Sequence, residues 1–256
     1  MFPFTGLRGR IAPLALAGVL AATAAATPAA AFTDEEKKEM GVIIRDYIIT
    51  NPEVLEEAIA VLEARHNSEQ AEQRGKALES VKELVFDSPR NVVVGNPKGD
   101  VTLVEFFDYN CGYCRKALSD LDQLIKADPN LRVVLREFPV LGQPSVEAAQ
   151  VGVAVRMVAP EKYFAFHHAL FQQQGPIDRE KALAAAASVG INADELAKQA
   201  NSPELNATLD ESMKIAAALG LNGTPSYIVG DSVVVGAVGA DKLKEAIATT
   251  RANAKK

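Results

Sequence analysis

Apolar positions near the start of the chain recur at helical spacing. Met40, Ile43, Ile44, Tyr47 and Ile48 form one stripe, and Val54, Leu55, Ala58, Ile59 and Leu62 form a second. Ahead of the first, Thr33-Asp34-Glu35-Glu36 reads as a capping box, the Thr33 hydroxyl and Glu36 carboxylate satisfying each other's backbone donors. Asn51-Pro52-Glu53 reads as a restart, with Asn51 as N-cap and Pro52 at the first helical position. From Arg65 to Lys76 the pattern turns polar; Leu78, Val81, Leu84 and Val85 resume it, and Ser88-Pro89 ends it. Two or three amphipathic helices are expected, with little core of their own. Their stripes must be buried against the following domain or against another copy of the chain.

Beyond residue 89 the period changes. Residues 91–95 and 101–107 read as strands around a turn at Asn96-Pro97-Lys98-Gly99. A helix over 117–127 is broken by Asp128-Pro129-Asn130, and 131–138 is another β-rich run. From Ser145 to Leu219 the chain is Ala-rich and reads as four or five helices. Short strands at 226–229 and 232–235 meet at Gly230-Asp231, and a helix over 241–253 closes the chain. A β-α-β half, a helical insert and a β-β-α half predict an α/β fold on a small central sheet.

Composition narrows the class. With 48% hydrophobic and 23% charged residues, a chain of 256 can bury an ordinary core, which excludes wholesale disorder. A net charge of −6 argues against a nucleic-acid partner, which would call for a basic surface. Residues 1–31 read as a secretory signal peptide: Arg8 and Arg10, an apolar run over 11–26, then Ala29-Ala30-Ala31, with cleavage expected after Ala31. The apolar run falls short of the ~20 residues a bilayer span needs. The mature chain is therefore expected to be soluble and exported.

One constellation carries chemistry. Cys111-Gly112-Tyr113-Cys114 sits where a strand ends and a helix begins. Unpaired N–H groups and the positive dipole end of a helix stabilise a thiolate there. A Cys-x-x-Cys in such a place lowers the first thiol's pKa from about 8.5 into the range of roughly 3.5–7.5. Half of a zinc site is the rival reading. Four ligands are wanted, no second Cys-x-x-Cys exists, and His66, His167 and His168 are not placed to complete the set. A purely structural disulfide is disfavoured because so short a loop constrains the unfolded chain little. No metal or cofactor is expected.

Phe106-Phe107-Asp108-Tyr109-Asn110-Cys111-Gly112-Tyr113-Cys114, with Gly223-Thr224-Pro225 downstream, resembles the DsbA-like branch of the thioredoxin superfamily. The resemblance implies a thioredoxin fold with a helical insertion at about 144–220, in a domain over 89–256 preceded by an α-helical extension over 32–88. It implies that Thr224 precedes a cis-proline, Pro225, and contacts the cysteines and the substrate chain. It also aligns Glu105 with a buried acid that serves proton transfer; pairing with a lysine is the alternative. Gly112 and Tyr113 would tune the redox poise. Arg45-Asp46-Tyr47 and the stretch from Asn51 to Ala58 resemble the N-terminal domain of ScsC-type proteins, in which the extension can mediate oligomerisation.

The expected activity is thiol–disulfide exchange on unfolded or misoxidised exported proteins, with isomerase or reductase action leading. A DsbD- or ScsB-like membrane donor would then keep Cys111 reduced. The alternatives are a dithiol oxidase of the DsbA type, served by a DsbB-like partner, and a copper-tolerance protein binding Cu(I) through Cys111 and Cys114.

Overall fold

The computed structural model describes residues 32–254; the expected signal segment lies outside them. The chain separates into two units, one ending at Ile59 and one beginning at Ala60.

The first unit contains helix α1 (Asp34–Thr50) and the opening turns of α2 (Glu53–Phe86). The capping box forms: Glu36 N–H donates to Thr33 Oγ1 at 3.2 Å, and Thr33 N–H to Glu36 Oε2 at 2.8 Å. Asn51 departs from expectation. Its side-chain amide donates back to the Tyr47 carbonyl at 2.9 Å, so it caps the end of α1 rather than the start of α2. An orphan carbonyl at a helix C-terminus takes a side-chain donor as readily as an orphan N–H takes an acceptor. No residue of α1 is buried, and Ile43, Tyr47 and Ile49 are more than half exposed.

Helix α2 runs unbroken through the polar stretch at 65–76, so the expected two or three helices are two. Ala, Glu, Gln, Arg and Lys there are strong helix formers, no proline interrupts, and Lys76 pairs with Glu72 at 2.6 Å, one turn back. Loss of the apolar stripe therefore does not end the helix.

The second unit is built on a sheet of order β1-β3-β2-β4-β5: β1 (Val92–Gly95), β2 (Val101–Phe107), β3 (Leu131–Glu137), β4 (Ser226–Val229) and β5 (Ser232–Val235). Strands β2 and β3 are parallel, joined through α3 (Gly112–Ala127); the other pairs are antiparallel. The insert between β3 and β4 comprises α4 (Gln143–Val158), a 3-10 turn (Pro160–Lys162), α5 (Tyr163–Phe171), α6 (Arg179–Ser188), α7 (Ala193–Gln199) and α8 (Pro203–Ala218). Helix α9 (Ala240–Asn253) ends the fold.

Side chains alternate across the strands and sort into two cores. Leu103, Phe107, Val133 and Leu135 join Leu121, Leu124 and most of the insert on one face. Val104, Phe106, Val134 and Ile228 join Leu78 and Val85 of α2 and Ile215 and Leu219 at the end of α8 on the other. Arg136 is buried on this second face. It donates to Glu211 Oε1 at 3.0 Å and to the Leu84 carbonyl, one of the orphan carbonyls in the last turn of α2. Asn91 Nδ2 takes the Val85 and Phe86 carbonyls at 3.2 and 3.0 Å.

The last turns of α2 thus belong to the sheet's core. Leu78→Ala is expected to cost about 2–5 kcal/mol, read as a fall in the urea midpoint with unchanged slope. An unmoved midpoint would show that the second core does not depend on α2.

Candidate active site

Strand β2 delivers the chain to Asp108-Tyr109-Asn110, a turn whose shape is set by side chains. Asp108 is buried and accepts from Asn110 N–H at 2.8 Å, Ser145 Oγ at 2.7 Å, and the N–H groups of Val140 and Leu141 at 2.9 and 3.0 Å. Asn110 reaches the far side: its Nδ2 donates to the Ile177 carbonyl at 2.8 Å, and Ile177 N–H returns to Oδ1 at 2.6 Å. The turn before the cysteine is therefore fixed to the start of α4 and to the loop before α6. The sequence marks these residues only as part of the motif around the cysteines, with no role of their own. An acceptor with one residue's spacing to an amide is common in turns, and what they bind lies far along the chain.

Cys111 is the N-cap of α3, in extended conformation and without a side-chain cap bond. Its thiol is pushed down from 9.0 to about 5. The hydrogen bond from the Cys114 thiol contributes most; the Thr224 hydroxyl and the backbone N–H groups of Cys114 and Tyr113 add to it, while burial opposes. When protonated, Cys111 Sγ donates to the Thr224 carbonyl at 3.2 Å, a contact that favours the neutral thiol. The donors aimed at sulfur outweigh it. Cys114 is buried, and burial first, then the bond to Cys111 and the nearby Glu105, push its pKa far up. One thiol is poised as a nucleophile and the other is held neutral.

Glu105 lies on the β2 face that carries the cysteines, between Leu103 and Phe107, and is buried. Burial raises its pKa from 4.5 to about 8, helped by the charges of Asp120 and Cys111. It makes no ion pair with a lysine or arginine among the described residues. Opposite it on β4 stands Tyr227. The Thr224–Pro225 peptide is cis, and Gly236 N–H takes the Pro225 carbonyl at 2.9 Å. Gly112 has a negative φ and open space where a Cβ would stand, so neither strain nor crowding requires glycine there. Tyr113 is 65% exposed, with Lys116 Nζ 5.8 Å from its ring centroid. His167 and His168 diverge. His167 is buried among aromatic rings and pushed down to about 3, whereas His168 Nε2 faces Asp122 at 3.1 Å.

Two predictions follow from the charges. Alkylation of Cys111 against pH should show a midpoint near 5 that rises in Thr224→Val and rises further in Cys114→Ala, which removes the largest donor. A midpoint unmoved by Cys114→Ala would remove that cause. Glu105 is protonated in the folded protein up to about pH 8 but ionises near 4.5 when unfolded. The shift therefore adds no penalty below pH 4.5 and progressively lowers stability from there to about pH 8. Glu105→Gln should be more stable than the native chain at pH 8, with the difference vanishing near pH 4; denaturant midpoints across that range measure it.

The profile of the DSBA-like thioredoxin domain matches residues 102–248, and that of the copper resistance protein ScsC N-terminal domain matches residues 36–69. A thioredoxin-like oxidoreductase from Silicibacter pomeroyi is 43% identical, with a TM-score of 0.64 over 67% of this chain and 98% of that one. Proteus mirabilis ScsC is 28% identical, with a TM-score of 0.64 over 87% and 98% of the two chains. Disulfide bond formation protein D of Bacillus subtilis is 25% identical over 60% of this chain and 74% of its own length. A Na(+)/H(+) antiporter NhaA of Herminiimonas arsenicoxydans matches at 26% identity over 59% of this chain, which spans only 24% of that protein. With the thioredoxin-domain match covering more than half of its length, the chain belongs to the DSBA-like thioredoxin domain family and has the fold of its thiol–disulfide oxidoreductases.

Proposed function

We propose that the protein works in the periplasm as a thiol–disulfide isomerase or reductase on misoxidised exported proteins. The Cys111 thiolate attacks one sulfur of a substrate disulfide, forming a mixed disulfide and releasing a substrate thiolate. In isomerisation a substrate thiolate then displaces Cys111, with no net change in electrons. In reduction Cys114 loses its proton and attacks Cys111 Sγ, so the substrate leaves with both thiols and Cys111–Cys114 becomes the disulfide. Glu105, a buried carboxyl with its pKa near 8, is the group suited to take the Cys114 proton. Thr224 would hold the substrate strand through its backbone. A membrane donor of the DsbD or ScsB kind would return the electrons.

The observation that carries this reading is the apolar face of α1. On that face Ile43, Ile44 and Tyr47 are each more than half exposed in the single chain. An apolar helix face of this kind is suited to pairing with its own copies, which would set several reactive cysteines in one assembly. A second reading is favoured by Cys111 itself. A thiolate stabilised to a pKa near 5 stabilises the reduced form, which makes the disulfide a strong oxidant and suits a dithiol oxidase.

Acid quenching and mass-shifting alkylation in cells decide between the two. The isomerase or reductase reading expects Cys111 and Cys114 mostly reduced; a mostly oxidised pair transfers the assignment to the oxidase. Light scattering is expected to give an oligomer that becomes a monomer when residues 32–59 are removed. The cut is placed at Ile59 because Leu78 and Val85 belong to the core of the second unit. A monomer before deletion would remove the support that α1 gives.

A further inference from the structure

The residues that immediately bracket the cysteine pair share an unexpected task. Arg115, which follows Cys114, donates through Nη1 to the carbonyls of Phe171 and Gln173, the latter at 2.5 Å. Asn110, which precedes Cys111, makes the two-way bond with the backbone of Ile177. Both grip the two ends of one segment, Phe171–Ile177, between α5 and α6. Lys181 fills the middle, its ammonium donating to the Gln174 carbonyl and to the Pro176 carbonyl at 2.8 Å. Gly175, at φ +70°, turns the chain there, a conformation L side chains rarely adopt.

The backbone of this loop is thus committed to side chains from α3, from the turn before it and from α6, while its own side chains are not. Gln172 and Gln174 are exposed, Gln173 is half-buried, and their side-chain carboxamides make no hydrogen bond among the described residues, although the backbone N–H groups of Gln172 and Gln173 do. On the other side of the same turn, Asp108 holds the N–H groups of Val140 and Leu141, whose side chains remain partly exposed. The turn that delivers Cys111 therefore organises two unlike surfaces, one apolar and one made of carboxamides.

We propose that the Gln172–Gln174 loop is a specificity-determining wall of the substrate site, recognising hydrogen-bonding side chains beside the reacting cysteine of a substrate polypeptide. This rests on the thiol–disulfide exchange reading. Carboxamides both donate and accept, so they bind Asn, Gln, Ser and Thr side chains or a bare peptide group, and gain nothing from an aliphatic one. Fixing a glutamine side chain costs rotamer entropy comparable to the gain from one hydrogen bond, so the preference is modest. Asn110 and Arg115 are positioning residues, acting through the loop they hold.

The test uses two short peptides, each carrying one cysteine in a mixed disulfide with a small thiol. In one the cysteine is flanked by Gln and Ser, in the other by Leu and Val. The readout is the ratio of their kcat/KM values within each protein, which cancels differences in the amount of active enzyme. The native chain is expected to favour the polar peptide about threefold to tenfold. Gln172→Ala with Gln174→Ala should bring the ratio toward one, chiefly through KM. Arg115→Gln should do the same with the glutamines intact. A native ratio at or below one, or a ratio unmoved in the glutamine double variant, overturns the proposal. A ratio lost with the glutamines but kept in Arg115→Gln overturns the positioning role of Arg115. Native exchange with a small-molecule disulfide separates the two levels: absent, the oxidoreductase reading itself fails; present with a flat ratio, only the loop's role fails.

Discussion

Helix α3 begins on a sulfur. The first N–H groups of a helix have no partner within it, and an N-cap residue normally supplies a side-chain oxygen. Cys111 sits at that position and supplies none, so the Cys114 thiol, the strongest donor to its thiolate, is joined there by the Thr224 hydroxyl and by the free amides of Cys114 and Tyr113. The same arrangement that leaves the helix end short of an acceptor makes deprotonation of Cys111 favourable. Cys114, one turn on, is on the buried face of α3 and cannot ionise alongside it. The asymmetry between the two thiols is thus a consequence of helix geometry: position one faces the open end, position four faces the core.

The sheet adds to this by sorting side chains. Because successive residues of β2 point to opposite faces, Glu105 shares a face with Leu103 and Phe107 and lies beneath the cysteines, while Val104 and Phe106 look toward α2 and α8. Strand β3 repeats the division. Glu137 goes with the first face, where Tyr163 donates to it, and Arg136 with the second, where Glu211 answers it. A buried ion pair such as Arg136–Glu211 adds little stability over an apolar pair, yet removing either partner strands a charge. Its effect here is to fix which turn of α2 and which turn of α8 meet the sheet.

Much of this was legible in the sequence. Strand periodicity, the Ala-rich insert and the strand-to-helix junction at Cys111 are local patterns, and each element lies within a few residues of its expected place. The candidate site was legible at Cys111, Cys114, Glu105 and Thr224-Pro225 because motif spacing and resemblance mark those positions. What the sequence concealed was whatever depends on distant partners. Asn51 has the right chemistry for either helix end, and only geometry selects the Tyr47 carbonyl. Asp108, Asn110 and Arg115 look like a turn and a helical charge until Leu141, Ile177 and Phe171 arrive beside them. The polar stretch of α2 misled for another reason. Periodicity reports where a helix is buried, and a solvated helix of good formers has nothing to report.

Gly152 shows how tightly the insert is fitted to the end of β3 and to the turn that leads to the cysteine. It lies on α4, where glycine is unfavourable by roughly 1 kcal/mol relative to alanine. A Cβ there would stand 2.8 Å from Glu137 Oε1 and 3.5 Å from the Tyr109 hydroxyl. Those two groups belong to a buried chain in which Tyr163 donates to Glu137, and the Tyr109 hydroxyl lies 3.4 Å from that of Tyr163 and 3.3 Å from His167 Nδ1. Burial pushes Glu137 up, while the bond from Tyr163 pulls the other way. Such a network is costly if any member is left unpaired, so each hydroxyl specifies where its neighbour must be. Tyr109 precedes Cys111 by two residues, and its partners Tyr163 and His167 lie on α5 of the insert. The insert therefore does more than enlarge the core: through Tyr109, Asp108 and Asn110 it fixes the turn on which the reactive sulfur stands, and Gly152 is the space that this close fit requires.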